Sequence, residues 1–256
     1  MSLNCLRSSV PGIPVLALVA FIIMNAAAVI LIPEIHPAQV QQKLEPSEIL
    51  AAASEHGKRV AAALRNYTYS AELTIETVSQ ADTITGTYYR FSQISYNPDG
   101  ARQERVFEDK STLPKEVHIG TNAANNLTRV YQFMLTPDTL GQYEFNYVGR
   151  ERIDELNCFV FDVKPTVKMP DPDKSTERYF KGRVWIDDQD LQVVKAAGEA
   201  LPEQNRHRTP KFETYFQNYG DCWFPAYTSA DDGVRVGDGF ARVIVKVRFT
   251  GYKKVR

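Results

Sequence analysis

The sequence predicts a mainly β (α+β) protein: a strongly curved antiparallel sheet forming an unclosed barrel, with two or more helices packed in or over its mouth. Three observations lead there. From Tyr67 onward, apolar residues in most segments recur at every second position, the period of a half-buried strand. The runs are separated by short polar turns such as NPDG at Asn97–Gly100, and links of hairpin length require antiparallel pairing. Finally, two helical stretches are too few to cover the apolar face of about ten strands in a flat sheet, so the sheet must curl and enclose an apolar hollow.

The totals agree with one domain. The chain has 256 residues, enough for a sizeable core of its own. Thirty basic and 31 acidic residues leave a formal net charge of -1. That balance argues against a chain built to hold nucleic acid, where affinity comes from neutralising phosphates.

In chain order, residues 1–34 come first. Arg7 precedes an apolar run, Val15–Ile32, broken only by Asn25. Its 18 residues would span ~27 Å as a helix, close to the hydrocarbon core of a bilayer. This segment reads as an export signal, either cleaved or kept as a membrane anchor. Cys5 lies before the run, so it is not the lipidated first residue of a mature lipoprotein. Residues 35–46 are a polar tether, and residues 47–256 the folded domain on the far side of the membrane.

A helix is expected from Ser47 to Arg65, with Ser47 as its cap, Ile49, Ala53, Val60 and Leu64 as its apolar stripe, and Gly57 as a weak point. In YTYSAELTIETV, Tyr69, Ala71, Leu73 and Ile75 share one strand face. TITGTYYRFSQISY and the polar ARQERVFED follow as strands. A short helix around Asn122–Leu135 carries Leu127, Val130, Tyr131 and Met134 at helical spacing, and TPDTLG at 136–141 breaks it. The remainder is strand: QYEFNYVGRERI, CFVFDVKPTV, RYFKGRVWID, LQVVKAAGE, KFETYFQNYG, CWFPAYTSA and FARVIVKVRFTGY, with SADDGVRVGDG separating the last two. Arg242, Lys246 and Arg248 alternate with valines in the final strand and mark a solvated outer face.

Chemistry is sparse. His36, His56, His118 and His207 are scattered, and HExxH, G-x-S-x-G, zinc-spaced Cys/His and phosphate-loop patterns do not occur. No catalytic residue, metal site or cofactor is expected. Asp187, Asp188 and Asp190 read as the turn of a hairpin, where Asp bonds its own backbone, with Phe180, Gly182, Val184 and Ile186 on one side of the preceding strand and Trp185 on the other. Gly182 marks a bend. Cys158 and Cys222 are either a disulfide or two buried free thiols; a bond closing their loop would contribute ~4 kcal/mol on the chain-entropy account.

The hairpin Val184-Trp185-Ile186-Asp187, its acidic turn and Leu191-Gln192-Val193-Val194-Lys195 carry a resemblance. With the N-terminal signal, the first helix beside a long strand, and Trp223-Phe224-Pro225 late in the chain, they make residues 47–252 similar to the bacterial outer-membrane lipoprotein-sorting (LolA/LolB-like) superfamily. That resemblance implies an unclosed β-barrel with a helical lid, whose apolar cavity holds the acyl chains of lipids or lipoproteins in the periplasm. The lining expected here is Tyr69, Leu73, Ile75, Phe91, Tyr143, Phe145, Phe159, Phe161 and Val184, with Leu127 and Met134 from the inner helix. The expected partner is a lipid or acylated lipoprotein, with membrane contact through residues 15–32 if they are kept, and the chain is expected to be a monomer. The alternative is a sensory or structural envelope domain that binds a protein partner on the same scaffold. The first reading predicts an apolar cavity of several hundred cubic ångströms inside the sheet; the second predicts a collapsed interior.

Overall fold

The computed structural model describes residues 44–255, apart from 116, 118–123, 126, 129–133, 173, 176, 203–209 and 237–238. The expected export segment, nearly all of the expected tether, and much of the expected Asn122–Leu135 helix lie outside the described residues. Within that stretch Ala124, Asn125, Leu127 and Thr128 are helical.

Ten strands form one sheet: β1 (Tyr67–Val78), β2 (Ile84–Tyr96), β3 (Arg102–Ser111), β4 (Tyr143–Ile153), β5 (Leu156–Pro165), β6 (Tyr179–Asp187), β7 (Val193–Leu201), β8 (Phe212–Asn218), β9 (Trp223–Val236) and β10 (Gly239–Lys254). Their order is β3-β2-β1-β10-β9-β8-β7-β6-β5-β4, and every pair is antiparallel. The first and last strands are neighbours inside the sheet. β3 and β4, consecutive in the chain, are the two outer edges and do not pair, so the barrel is unclosed.

One side of this sheet is the core side. On β1, Ala71, Leu73 and Ile75 lie opposite Phe249, Val247 and Val245 of β10, all at most 3% exposed. Phe159, Phe161 and Val163 of β5 and Phe180, Val184 and Ile186 of β6 belong to the same cluster. The opposite side carries a smaller cluster of Cys158, Val160, Trp185 and Val194, so the alternation read for β6 holds.

Helix α1 (Pro46–Leu64) packs on the core side through Ile49, Ala53, Val60 and Leu64. Ser47 is not its cap. Pro46 takes the first helical turn, where its missing N–H costs nothing, and this moves the cap to Glu45, whose N–H donates to the Glu48 carboxylate at 2.9 Å. Gly57 has a structural reason: a Cβ there would run into the Leu135 carbonyl. Gly57→Ala is therefore expected to destabilise the chain by about 1–3 kcal/mol in urea unfolding, although alanine is the better helix former in isolation. Unchanged or higher stability would mean that α1 is not seated this closely.

Three local expectations are corrected. TPDTLG does not simply break a helix: Pro137–Leu140 form one helical turn, α2, with the Thr136 N–H donating to Thr139 Oγ1 at 3.1 Å. SADDGVRVGDG is not a separator, since β9 runs to Val236 and β10 starts at Gly239, with Asp231 opposite Ile244 and Gly233 opposite Arg242. Arg242 bonds both Asp231 carboxylate oxygens at 2.7 Å across this ribbon, which keeps the pairing going past the neighbouring strands. The second strand of the acidic hairpin begins at Val193 rather than Leu191, because Leu191 sits at φ 53, in the left-handed region that no strand accommodates.

Candidate functional site

The site read from the sequence is the core-side wall. Tyr69, Leu73 and Ile75 on β1, Phe159 and Phe161 on β5, and Val184 on β6 are buried in one cluster. Tyr143 and Phe145 of β4, together with Leu127 and Met134, are partly buried against it. Phe91 is not there. On β2 the buried positions are Gly86, Tyr88, Arg90, Ser92 and Ile94, so Phe91 points to the outer side and packs on Phe107 with ring centroids 6.0 Å apart. The pairing of Leu73 with Arg90 fixes this parity and overrides the apolar character of a single residue.

Little space is left under α1. Between α1 and the sheet, bounded by Ala53, His56, Gly57, Val60, Leu135, Phe216 and Trp223, the hollow measures about 20 Å³. The larger concavity, about 730 Å³, opens on the outer side of β6–β9, where Lys181, Arg183, Glu199 and Glu213 form its walls. Its floor is the pair Gly182–Gly198, directly opposite each other on β6 and β7. A Cβ on either would collide with backbone of the facing strand, so Gly182 marks a close approach of two strands.

One end of the wall is sealed by aromatic rings. Phe224, fully buried, lies edge-on to Tyr67 at 5.0 Å and 4.9 Å from Tyr252. Tyr252 stacks on Tyr69 at 4.8 Å, and its hydroxyl donates to the Pro225 carbonyl at 2.6 Å. Burial pushes the Tyr69 and Tyr252 hydroxyls well above the usual phenol range, so both stay neutral.

The sequence reading missed a polar patch on the same wall. Arg90 is 2% exposed, and its Nη2 donates to Asn125 Oδ1 at 2.8 Å. Beside it, Glu104 accepts from Ser92 Oγ at 2.8 Å and from Arg102 Nη1 at 2.9 Å, while Arg102 Nη2 donates to Thr128 Oγ1 at 3.1 Å. Arg90 and Ser92 share the parity of Tyr88 and Ile94, but Tyr89 and Phe91 share the other, so the letters alone do not place the guanidinium inside.

The acidic hairpin is a turn, but not a solvated one. Asp187 is 3% exposed and accepts the N–H groups of Gln189 and Asp190 at 3.1 Å. Burial raises its carboxyl above the usual range, against the pull of those two N–H groups. Asp188 pairs with Arg150 at 2.8 Å, and Asp190 accepts Trp223 Nε1–H at 2.7 Å. Asp188 and Asp190 tie the hairpin to its neighbours, while Asp187 holds the turn itself. Among the described residues no three His, Cys, Asp or Glu side chains gather to hold a metal ion.

Cys158 and Cys222 carry free thiols. Cys158 is fully buried in the outer cluster, and burial, helped by the carboxylates of Asp187, Asp188 and Glu151, pushes its thiol up to about 12. Cys222 is partly exposed in the turn between β8 and β9. Alkylation of the native chain is expected to modify Cys222 more than tenfold faster than Cys158, which should react only after unfolding. Equal rates, read by peptide mass spectrometry, would contradict this placement.

No protein-family model matches the chain, and no curated protein matches it. Among solved structures it is similar to a LolA superfamily protein from Nitrosomonas europaea, at 12% identity over 83% of this chain and 94% of that one, with a TM-score of 0.36. An outer-membrane lipoprotein-sorting protein domain from Vibrio parahaemolyticus matches at 11% identity over 77% and 90% of the two chains, with a TM-score of 0.34. The Mycobacterium tuberculosis lipoprotein LppX matches at 13% identity over 81% and 96%, with a TM-score of 0.27. Among the described residues no helix is long and apolar enough to cross a membrane.

Proposed function

We propose that the chain binds acyl chains of a lipid or an acylated lipoprotein on the core-side wall of its half-barrel. In this reading it is an exported, monomeric periplasmic protein in outer-membrane lipid or lipoprotein sorting or transport, held at the inner membrane by residues 15–32 where these are retained. The wall itself carries the reading: an apolar surface continuous from β1 through β10 to β5 and β6, overlaid by a helix that contributes the small residues Ala53 and Gly57. Burying one methylene is worth about 0.8 kcal/mol, so a long acyl chain competes with α1 for this wall without a dedicated polar contact. Because the hollow under α1 is only about 20 Å³, α1 must move outward for a chain to enter. The reading assigns no reacting group and no cofactor.

Purification of the full chain, followed by mass spectrometry of co-purifying lipids and displacement of a fluorescent fatty acid, tests the reading. Acyl lipid and saturable displacement are expected; absence of both would sink it. The small hollow under α1 favours a second reading in that event, a sensory or structural envelope domain that meets a protein partner.

A further inference from the structure

The core-side wall is interrupted by one patch of charge, and that patch is under-satisfied. Arg90 is 2% exposed, yet its Nε and Nη1 have no hydrogen-bond acceptor among the described residues. Leaving buried donors of a charged group unmatched is costly, so their retention needs a reason. The neighbouring carboxylates do not supply the missing acceptors. Glu104 is engaged by Ser92 and Arg102 and stands 3.4 Å from Arg90 Nη2, the nitrogen already bonded to Asn125. Asp109 accepts the Tyr88 hydroxyl at 3.1 Å and remains 3.8 Å from Arg90 Nη1, beyond hydrogen-bond length.

The patch borders the exposed edge of the sheet. The Asp109 side chain is 43% exposed, and Val106, opposite Ser92 on the same side of the sheet, is 40% exposed, both on the unpaired edge strand β3. In the other direction Leu73 lies directly across from Arg90, and Val247 across from Leu73. The apolar wall therefore begins one strand away, ~5 Å from the guanidinium's own strand.

We propose that Arg90 is a headgroup site, binding the anionic oxygens of an amphiphile whose chain runs from the β3 edge along β1 and β10. This rests on the acyl-binding reading and adds a charge requirement to it. A carboxylate or phosphate is acceptor-only and matches donors that a neutral hydroxyl satisfies less well.

The test uses the full chain and three photoreactive probes of equal chain length, each with a diazirine in the acyl tail: a fatty acid, the matching fatty alcohol and a phosphatidic acid. At least one anionic probe is expected to label β1 and β10 about tenfold more than the alcohol. The comparison of fatty acid with phosphatidic acid tells a free carboxylate from a phospholipid headgroup. Arg90→Gln is expected to abolish the anionic preference while the alcohol still labels. Asp109→Asn, a change at the exposed rim that does not depend on refolding a buried site, is expected to raise anionic labelling severalfold. Equal labelling by all three probes, or an anionic preference that neither substitution alters, would overturn the headgroup site and leave acyl binding standing. Absence of labelling by every probe would remove the acyl-binding reading, and this site with it.

Discussion

Phe224→Ala is expected to lower the unfolding free energy by about 3–5 kcal/mol, measured by urea denaturation of the full chain. Phe224 is fully buried and touches three rings, with Tyr67 at 5.0 Å, Tyr252 at 4.9 Å and Tyr219 at 6.0 Å. Truncation removes a large apolar area and the edge-to-face contact with Tyr67. It also leaves a void that cannot readily close, because Tyr252 is held by its bond to the Pro225 carbonyl. Phe224→Leu, which refills most of the space, should recover more than half of the loss. A cost below about 1 kcal/mol for the alanine variant would mean that this end of the wall is not sealed as described.

Arg90→Ala should be comparably severe, about 3–5 kcal/mol, for a different reason. Two terms oppose each other at this site. Removing the guanidinium relieves two unmatched donors, but it also takes a cation away from Glu104, whose side chain is only 8% exposed. The second term wins because an under-compensated buried carboxylate, the lost bond to Asn125 and an empty side-chain volume act together. Adding Glu104→Gln to Arg90→Ala should therefore recover about 1–2 kcal/mol. Strict additivity in this double-mutant cycle would show that the two charges do not interact.

How far the sequence reached is clearest on β1 and β2. From Tyr67 to Glu76 every polar residue is out of phase with every apolar one, so the buried face can be read from the letters; only Thr77 and Val78 at the strand's end break the pattern. In TYYRFSQISY aromatic residues occupy both parities, and the register against β1 decides that Arg90 is buried and Phe91 is outside. The hairpin at Asp187–Asp190 was similarly half legible. Its turn residues were plain, while the contacts of Asp190 and Gln192 with Trp223, more than 30 residues further on, and the burial of Asp187 were not. Gly57 showed itself only as a weak point in a helix; its cause is the Leu135 backbone, 78 residues further on.

By itself, the sequence determined the antiparallel strands, the amphipathic first helix and the apolar character of one sheet face, because period and turn chemistry are local properties of the chain. Tertiary structure alone decided that β3 and β4 do not pair with each other, that only about 20 Å³ is left open under α1, and that a guanidinium lies within the apolar wall. These depend on which strands meet and in what register, and a charge can be buried only where distant strands bring partners to it.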